Sequence, residues 1–124
     1  MINKTVIDLI TELNALPELI RDKSKHILLK TKERIESEYL IETIRLKTIN
    51  AVTNEMDGDK AKYSNDIKRK WETDQRLSLN ESYKQLEEKV KTLKQELQEE
   101  EIALRFLRDK LGSVRAIAGV IDNF

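Results

Sequence analysis

The chain has 124 residues, of which 37% are charged and 5% aromatic, with three glycines, one proline and no cysteine. This composition suits solvated helices in a single domain, 1–124, more than it suits a thick globular core. The formal net charge is zero, so no global field draws the chain to nucleic acid or to a membrane surface, and the lack of cysteine excludes disulfides and thiolate metal sites. The apolar runs are too short to cross a bilayer and the first residues do not form a signal-peptide core, so we expect a cytoplasmic protein without membrane contact.

The first predicted element is a short amphipathic helix over 2–16. Its apolar residues alternate at spacings of four and three: Ile2, Val6, Leu9, Leu13 and Leu16. Pro17 follows, and proline lacks a backbone N–H and disfavours helix at the residue before it. Proline also suits the first position of a new helix. We therefore predict a kink or short turn at 14–17.

A second, longer helix is predicted over 18–56. Its apolar stripe keeps to one broad face at the helical period and consists of Ile20, Ile27, Leu28, Ile35, Tyr39, Leu46, Ile49, Val52 and Met56. The pattern stops over 57–66, where Asp57-Gly58-Asp59 and Ser64-Asn65 are residue types of turns and helix caps. We predict a turn there, with Ser64 or Asn65 starting the next helix.

A third helix is predicted over 67–121, softened near 78–82. From Tyr83 onward it carries a heptad ladder, in which apolar positions alternate at spacings of three and four. The ladder holds Tyr83, Leu86, Val90, Leu93, Leu97, Leu104, Leu107, Leu111, Val114, Ala118 and Ile121, and Glu100 is the polar residue that breaks it. At 1.5 Å per residue this segment spans about 58 Å, which indicates a long helix packed on another helix.

Two long amphipathic helices joined by a turn predict an all-α fold. We expect a long antiparallel helical hairpin, coiled-coil-like, with a short N-terminal amphipathic helix. If residue 56 lies opposite residue 67, the window 21–34 lies beside 89–102. The first window carries six Lys or Arg against two acidic residues, and residues 87–101 carry six glutamates against three lysines. Such opposed charges set register, although each exposed pair contributes only about 0.2–1 kcal/mol.

The end of the last helix is apolar on a second side, so it needs a second partner. Segment 2–16 can supply this second partner, either within its own chain or swapped into a neighbouring chain. Another chain can also supply it. We expect contacts of both kinds, from segment 2–16 and from another chain, and hence a homo-oligomer. The residues predicted to pack at this end and in the oligomer are Leu97, Leu104, Phe106, Leu107, Leu111, Val114, Ile117 and Ile121.

No catalytic, metal, cofactor or small-molecule site is predicted. His26 is the only histidine and there is no cysteine, so His–Cys and multi-His arrangements are impossible. Glu96 and Glu100 lie four apart on one helical face but lack the Glu-x-x-His pairs of di-iron bundles. A solvated or salt-bridged face is the better interpretation, and we expect that the protein is not an enzyme.

Two features suggest nucleic-acid binding. The window 21–34 is basic, but the facing acidic window can neutralise it. The hinge is the stronger candidate, because basic side chains mixed with aromatic rings can contact phosphates and stack a base. It comprises Tyr63, Lys68, Arg69, Lys70 and Trp71. The alternative interpretation is a solvated first helical turn with Trp71 packed on the hairpin.

Three short motifs carry a family resemblance. They are Arg45-Leu46-Lys47, then Asp57-Gly58-Asp59 with Tyr63-Ser64, and finally Ser113-Val114-Arg115-Ala116-Ile117. Their order resembles that of small phage and mobile-element proteins of the UvsY-like recombination-mediator type, over about 18–120. The resemblance implies an oligomer that binds single-stranded DNA, with contacts from Arg45 and Lys47, and that helps to load a recombinase over a single-strand binding protein. Helix 2–16 and the long heptad run depart from that family's pattern.

We therefore predict a non-enzymatic accessory protein of phage-like DNA recombination or replication. It would bind single-stranded DNA and a recombinase or single-strand binding protein. The alternative is a coiled-coil interaction, adaptor or structural module that binds no nucleic acid. Retention on single-stranded DNA that falls steeply with salt distinguishes the first from the second.

Overall fold

The computed structural model describes residues 4–122, and side chains from residue 5 to residue 120. Its elements in chain order are α1 (Lys4–Asn54), β1 (Met56–Asp57), β2 (Lys60–Ala61), α2 (Asp66–Leu79) and α3 (Glu81–Asp122). The fold is all-α apart from the two short strands. The long helices α1 and α3 pack against each other as a helical hairpin, as the sequence predicts.

Helix α1 is continuous through Pro17, so the predicted break at 14–17 and the separation into 2–16 and 18–56 are wrong; residues 2 and 3 lie outside the described residues. Proline inside a helix costs about 3 kcal/mol, because it removes a hydrogen bond and crowds the preceding turn. Packing on both sides of Pro17 outweighs this cost. Leu13 and Ile20 pack against a core cluster that contains Leu16, which is only 4% exposed.

The chain divides into two compact units, each of which contains part of α1 and part of α3. The first unit comprises the described parts of Met1–Thr31 and Gln95–Phe124. Its core cluster consists of Leu16, Leu111 and Val114, with Leu9, Leu13, Ile20 and Leu107 packed against it. The N-terminal segment therefore lies beside the end of α3 as predicted, but as a continuation of α1.

The second unit is Lys32–Lys94. Here Val52 of α1 is fully buried, and Thr73 and Leu77 of α2 are also buried. The predicted turn 57–66 contains a two-stranded antiparallel hairpin, in which Met56 pairs with Ala61 and Asp57 with Lys60. Gly58 has a φ of 66°, a conformation that L residues rarely adopt, and glycine at the first central position is typical of a type II′ hairpin turn.

Ion pairs show that the two long helices run antiparallel. In the first unit Lys110 Nζ lies 3.4 Å from Glu12, and Lys30 Nζ lies 3.2 Å from both Glu96 and Glu100. As the residue number on α1 rises from 12 to 30, the number of its partner on α3 falls from 110 to 100 and 96. The two helices therefore run in opposite directions. In the second unit Lys89 Nζ lies 3.0 Å from Glu33. The predicted facing of windows 21–34 and 89–102 agrees with these pairs.

The heptad ladder of α3 is confirmed. Every ladder position from Tyr83 to Ala118 is buried or half-buried, including Glu100, while the side chain of Ile121 lies outside the described residues. The predicted helix 67–121, however, is two helices. Asn80 separates them, with its backbone N–H donating to Leu77 O at 3.1 Å and its side chain accepting from Tyr83 N–H at 3.0 Å, so it caps α2 and starts α3.

The predicted apolar stripe of α1 is wrong at four central positions. Leu28, Ile35, Tyr39 and Leu46 are 67%, 55%, 72% and 50% exposed. The side chains that are buried or half-buried follow another line at spacings mostly of three and four: Leu9, Leu13, Leu16, Ile20, Ile27, Lys30, Arg34, Ser37, Ile41, Ile44, Thr48 and Val52. Helix α1 therefore carries two stripes, and the inner one contains polar members that hide it in the sequence.

Candidate nucleic-acid interface

The hinge between α1 and α2 is held by local hydrogen bonds. Lys62 N–H donates to Glu55 O at 2.9 Å, which closes the segment that contains the strand hairpin. Asn65 then caps α2, because its side-chain oxygen accepts the Lys68 backbone N–H at 2.9 Å. The cap predicted at Ser64 or Asn65 is therefore at Asn65. It fixes the first turns of α2, which carry Lys68 and Trp71.

An apolar groove with two lysines lies at this hinge. It has a volume of about 430 Å³ and is lined by Lys62, Tyr63, Ile67, Lys68 and Trp71. Ile67 is 82% exposed and Trp71 is 62% exposed. Tyr63, Lys68 and Trp71 of the predicted hinge site therefore lie together along this groove. Trp71 is mostly exposed, in contrast to the alternative in which it packs on the hairpin.

Charged side chains hold Tyr63 in place. The Lys62 ammonium lies 5.6 Å from the centroid of the Tyr63 ring, and the Arg76 guanidinium lies 5.9 Å from it, which are cation–π distances. Arg76 also pairs with Glu55 and, at 2.9 Å, with Glu72. The hydrogen bond from Arg76 lowers the pKa of Glu55 below its ordinary value, although burial opposes this shift. Glu55 thus stays ionised and anchors both cations.

Three of the remaining basic candidates lie at a second cleft in the same unit. This cleft has a volume of about 310 Å³, and its lining includes Arg45, Arg69 and Lys70 together with Asp66 and Asp74. The structure therefore brings Arg45 of α1 close to the basic residues of α2, as neither motif alone predicts. The two aspartates make this cleft mixed in charge.

Both arginines of this cleft already have partners. Arg69 donates to Tyr63 O at 3.2 Å and pairs with Asp66, and Arg45 lies 3.4 Å from Glu42. Lys47 is exposed but lines neither space. Of the two groove lysines, Lys62 also pairs with Glu55 at 3.5 Å, whereas the Lys68 side chain has no ion pair among the described residues. Lys68 is therefore the better phosphate contact.

Sequence reasoning missed two contributors to this site. Lys62 stands directly before Tyr63, so its proximity to the ring was readable from the sequence. Arg76 lies 13 positions after Tyr63 and 21 positions after Glu55 in the sequence, and no local pattern links it to either residue. Only the packing of α2 on the end of α1 brings these side chains together.

The residues predicted to pack or to form the oligomer fall into two groups. Leu97, Leu104, Leu111 and Val114 are buried and Leu107 is half-buried, so the chain itself covers them. Phe106 and Ile117 are 66% and 49% exposed. Ile102 and Val120 are also exposed, so the described part of the N-terminal segment does not cover this second apolar side of α3.

Within the part of the chain that the structure describes, no group of three or more His, Cys, Asp or Glu side chains could hold a metal ion. No described helix is long and apolar enough to cross a membrane. The chain matches no protein-family model, no curated protein and no solved structure.

Proposed function

We propose that the protein is a non-enzymatic, cytoplasmic accessory protein that binds single-stranded DNA in the groove lined by Lys62, Tyr63, Ile67, Lys68 and Trp71. One observation carries the proposal: the single tryptophan of the chain is 62% exposed beside two lysines. An exposed indole has a free π-face, and stacking of a base on an aromatic ring contributes about 1–3 kcal/mol.

The surroundings of Trp71 support a single-stranded ligand over a duplex. The apolar wall contains Tyr63 and Ile67, which suits unstacked bases, and the two lysines suit the backbone that links them. The groove volume of about 430 Å³ falls within the range of small-ligand pockets, about 300–1,000 Å³. A few nucleotides are therefore a suitable occupant.

The family resemblance extends this proposal. It implies that the protein works in phage-like recombination or replication beside a recombinase or a single-strand binding protein. It also implies a homo-oligomer, in which a weak site is repeated. Repetition of one site along a strand raises the overall affinity without new contacts.

The single tryptophan makes the test direct. We expect a labelled oligothymidylate to bind at low salt by fluorescence anisotropy, and to quench the intrinsic fluorescence of Trp71. Trp71→Ala should weaken binding by roughly 5- to 150-fold, which corresponds to the loss of about 1–3 kcal/mol of stacking. Leu79→Ala is the matched control, because Leu79 is an apolar residue of similar exposure on the same helix and lines neither of the two spaces. No binding at low salt, or an equal loss in the control, would contradict the proposal.

A second candidate function is favoured by the exposed apolar residues of α3. Ile102, Phe106, Ile117 and Val120 are between 49% and 66% exposed, and apolar patches of this kind mark protein interfaces. A coiled-coil adaptor without nucleic-acid binding would use them. It predicts the reverse result: partner binding insensitive to salt, weakened by Phe106→Ala and unchanged by Trp71→Ala.

A further inference from the structure

The outer stripe of α1 is a second heptad line that no other described element covers. In the second unit it consists of Lys32, Ile35, Tyr39, Glu42 and Leu46, at spacings of three and four. All five residues are exposed, with Ile35, Tyr39 and Leu46 at 55%, 72% and 50%. A heptad stripe buries a narrow seam against another helix, and the chain's own α3 occupies the opposite, inner line.

The order of residues along this stripe is symmetric about the level of Ser37. Lys32 stands five positions before Ser37 and Glu42 five positions after it. Ile35 and Tyr39 stand two positions before and two after. The basic Lys32 is thus mirrored by the acidic Glu42, and Ile35 by the aromatic Tyr39.

We propose that this stripe binds the same stripe of a second copy of the chain, antiparallel, about a two-fold axis level with Ser37. In such an isologous interface residue i contacts residue j, and residue j contacts residue i. Lys32 of each copy then meets Glu42 of the other, and Ile35 meets Tyr39.

Charge complementarity selects a second copy as the occupant. A parallel pairing in register sets Lys32 against Lys32 and Glu42 against Glu42, and like charges that face each other oppose association. An unrelated partner would not require a stripe that complements itself. In the single chain Glu42 forms a surface ion pair with Arg45 at 3.4 Å, with both side chains about half exposed. Such a pair contributes little free energy, so breaking it costs little when the dimer forms.

A charge-swap cycle tests the interface. We expect the wild-type chain to form dimers, or larger assemblies that contain this pair, by sedimentation velocity. Lys32→Glu alone and Glu42→Lys alone each replace two attractive pairs by two repulsive ones, and should raise the dimer dissociation constant by roughly tenfold or more. The double variant Lys32→Glu/Glu42→Lys restores both pairs with reversed sign and should associate as the wild type does.

Lys91→Glu on α3 is the matched control, because it makes the same charge change at an exposed position away from the stripe. All the substituted side chains are exposed, so circular dichroism should show unchanged helix content. A monomeric wild-type chain, single swaps that associate normally, or a double variant that does not recover would each overturn the proposal.

Because the chain has no cysteine, disulfide trapping gives the direction of pairing independently. Chains with Lys32→Cys and chains with Glu42→Cys should form disulfides with each other when mixed and oxidised. Either chain alone should not, since the two copies of position 32 lie about 15 Å apart along the helices, beyond disulfide reach. Cross-linking within each variant alone would show a parallel pairing and overturn the proposal. These readouts do not involve DNA, so they succeed or fail separately from the proposed function.

Discussion

Glu100 is the polar member of an otherwise apolar ladder, and its two carboxylate oxygens have different surroundings. Oε1 accepts a hydrogen bond from Lys30 Nζ at 3.2 Å and lies 3.6 Å from His26 Nδ1. Oε2 is buried and has no hydrogen-bond partner among the described residues. Burial acts to raise the pKa of Glu100, but the hydrogen bond and charge of Lys30 lower it below the ordinary value of 4.5. The salt-bridged interpretation of this glutamate is confirmed.

Acid should therefore destabilise the fold partly through Glu100. A carboxyl whose pKa is lower in the folded than in the unfolded chain stabilises the fold above the unfolded value, and this stabilisation is lost as the pH falls through the folded value. We expect the free energy of unfolding, measured by urea denaturation, to fall as the pH drops through the ordinary value of 4.5 and below it. Glu100→Gln should flatten this dependence, whereas the exposed control Glu101→Gln should not. Equal slopes in both variants would show that the pair has no such role.

At the scale of the element, side-chain packing in α1 overrides the tendency of Pro17 to break the helix. Pro17 lies between Leu13, Leu16 and Ile20, which contact the end of α3, and the helix continues through it. We expect Pro17→Ala to raise the melting temperature, because it restores a backbone N–H that can donate within the helix. The gain in unfolding free energy should be at most about 3 kcal/mol, since alanine also increases the freedom of the unfolded chain. Asn14→Ala is the control on the same helix; a Pro17→Ala variant no more stable than this control would contradict the argument.

The elements differ in how far the sequence predicts them. The α3 ladder was predictable because its apolar residues alternate at three and four from Tyr83 onward. The inner line of α1 was not, because Lys30, Arg34, Ser37 and Thr48 occupy it while Ile35 and Tyr39 stand on the outside. For the candidate site, residue types predicted Tyr63, Lys68 and Trp71. The grouping of Arg45 with Arg69 and Lys70 depends on how α2 packs on α1, which no local pattern encodes.

At the scale of the whole molecule, a net charge of zero means that any attraction to DNA is local. Each phosphate contact on a single strand contributes about −0.7 to the slope of log affinity against log salt. The two groove lysines therefore predict a slope of about −1.4, and engagement of the second cleft a steeper one. Lys62→Gln/Lys68→Gln should flatten the slope in anisotropy titrations over several salt concentrations, while Lys91→Gln leaves it unchanged. A slope near zero in the wild type would instead favour the adaptor function.

The charged layer of Lys30 and Glu100 has a consequence for how the two long helices find their alignment. A heptad seam repeats itself, so two such helices can slide by seven residues and still bury apolar side chains. A slip of this size would separate Lys30 from Glu100 and place the lysine opposite Leu93 or Leu107. A single polar layer can thus specify the register of the two helices. It lowers the stability of the seam somewhat, but it favours one alignment over those shifted by seven residues.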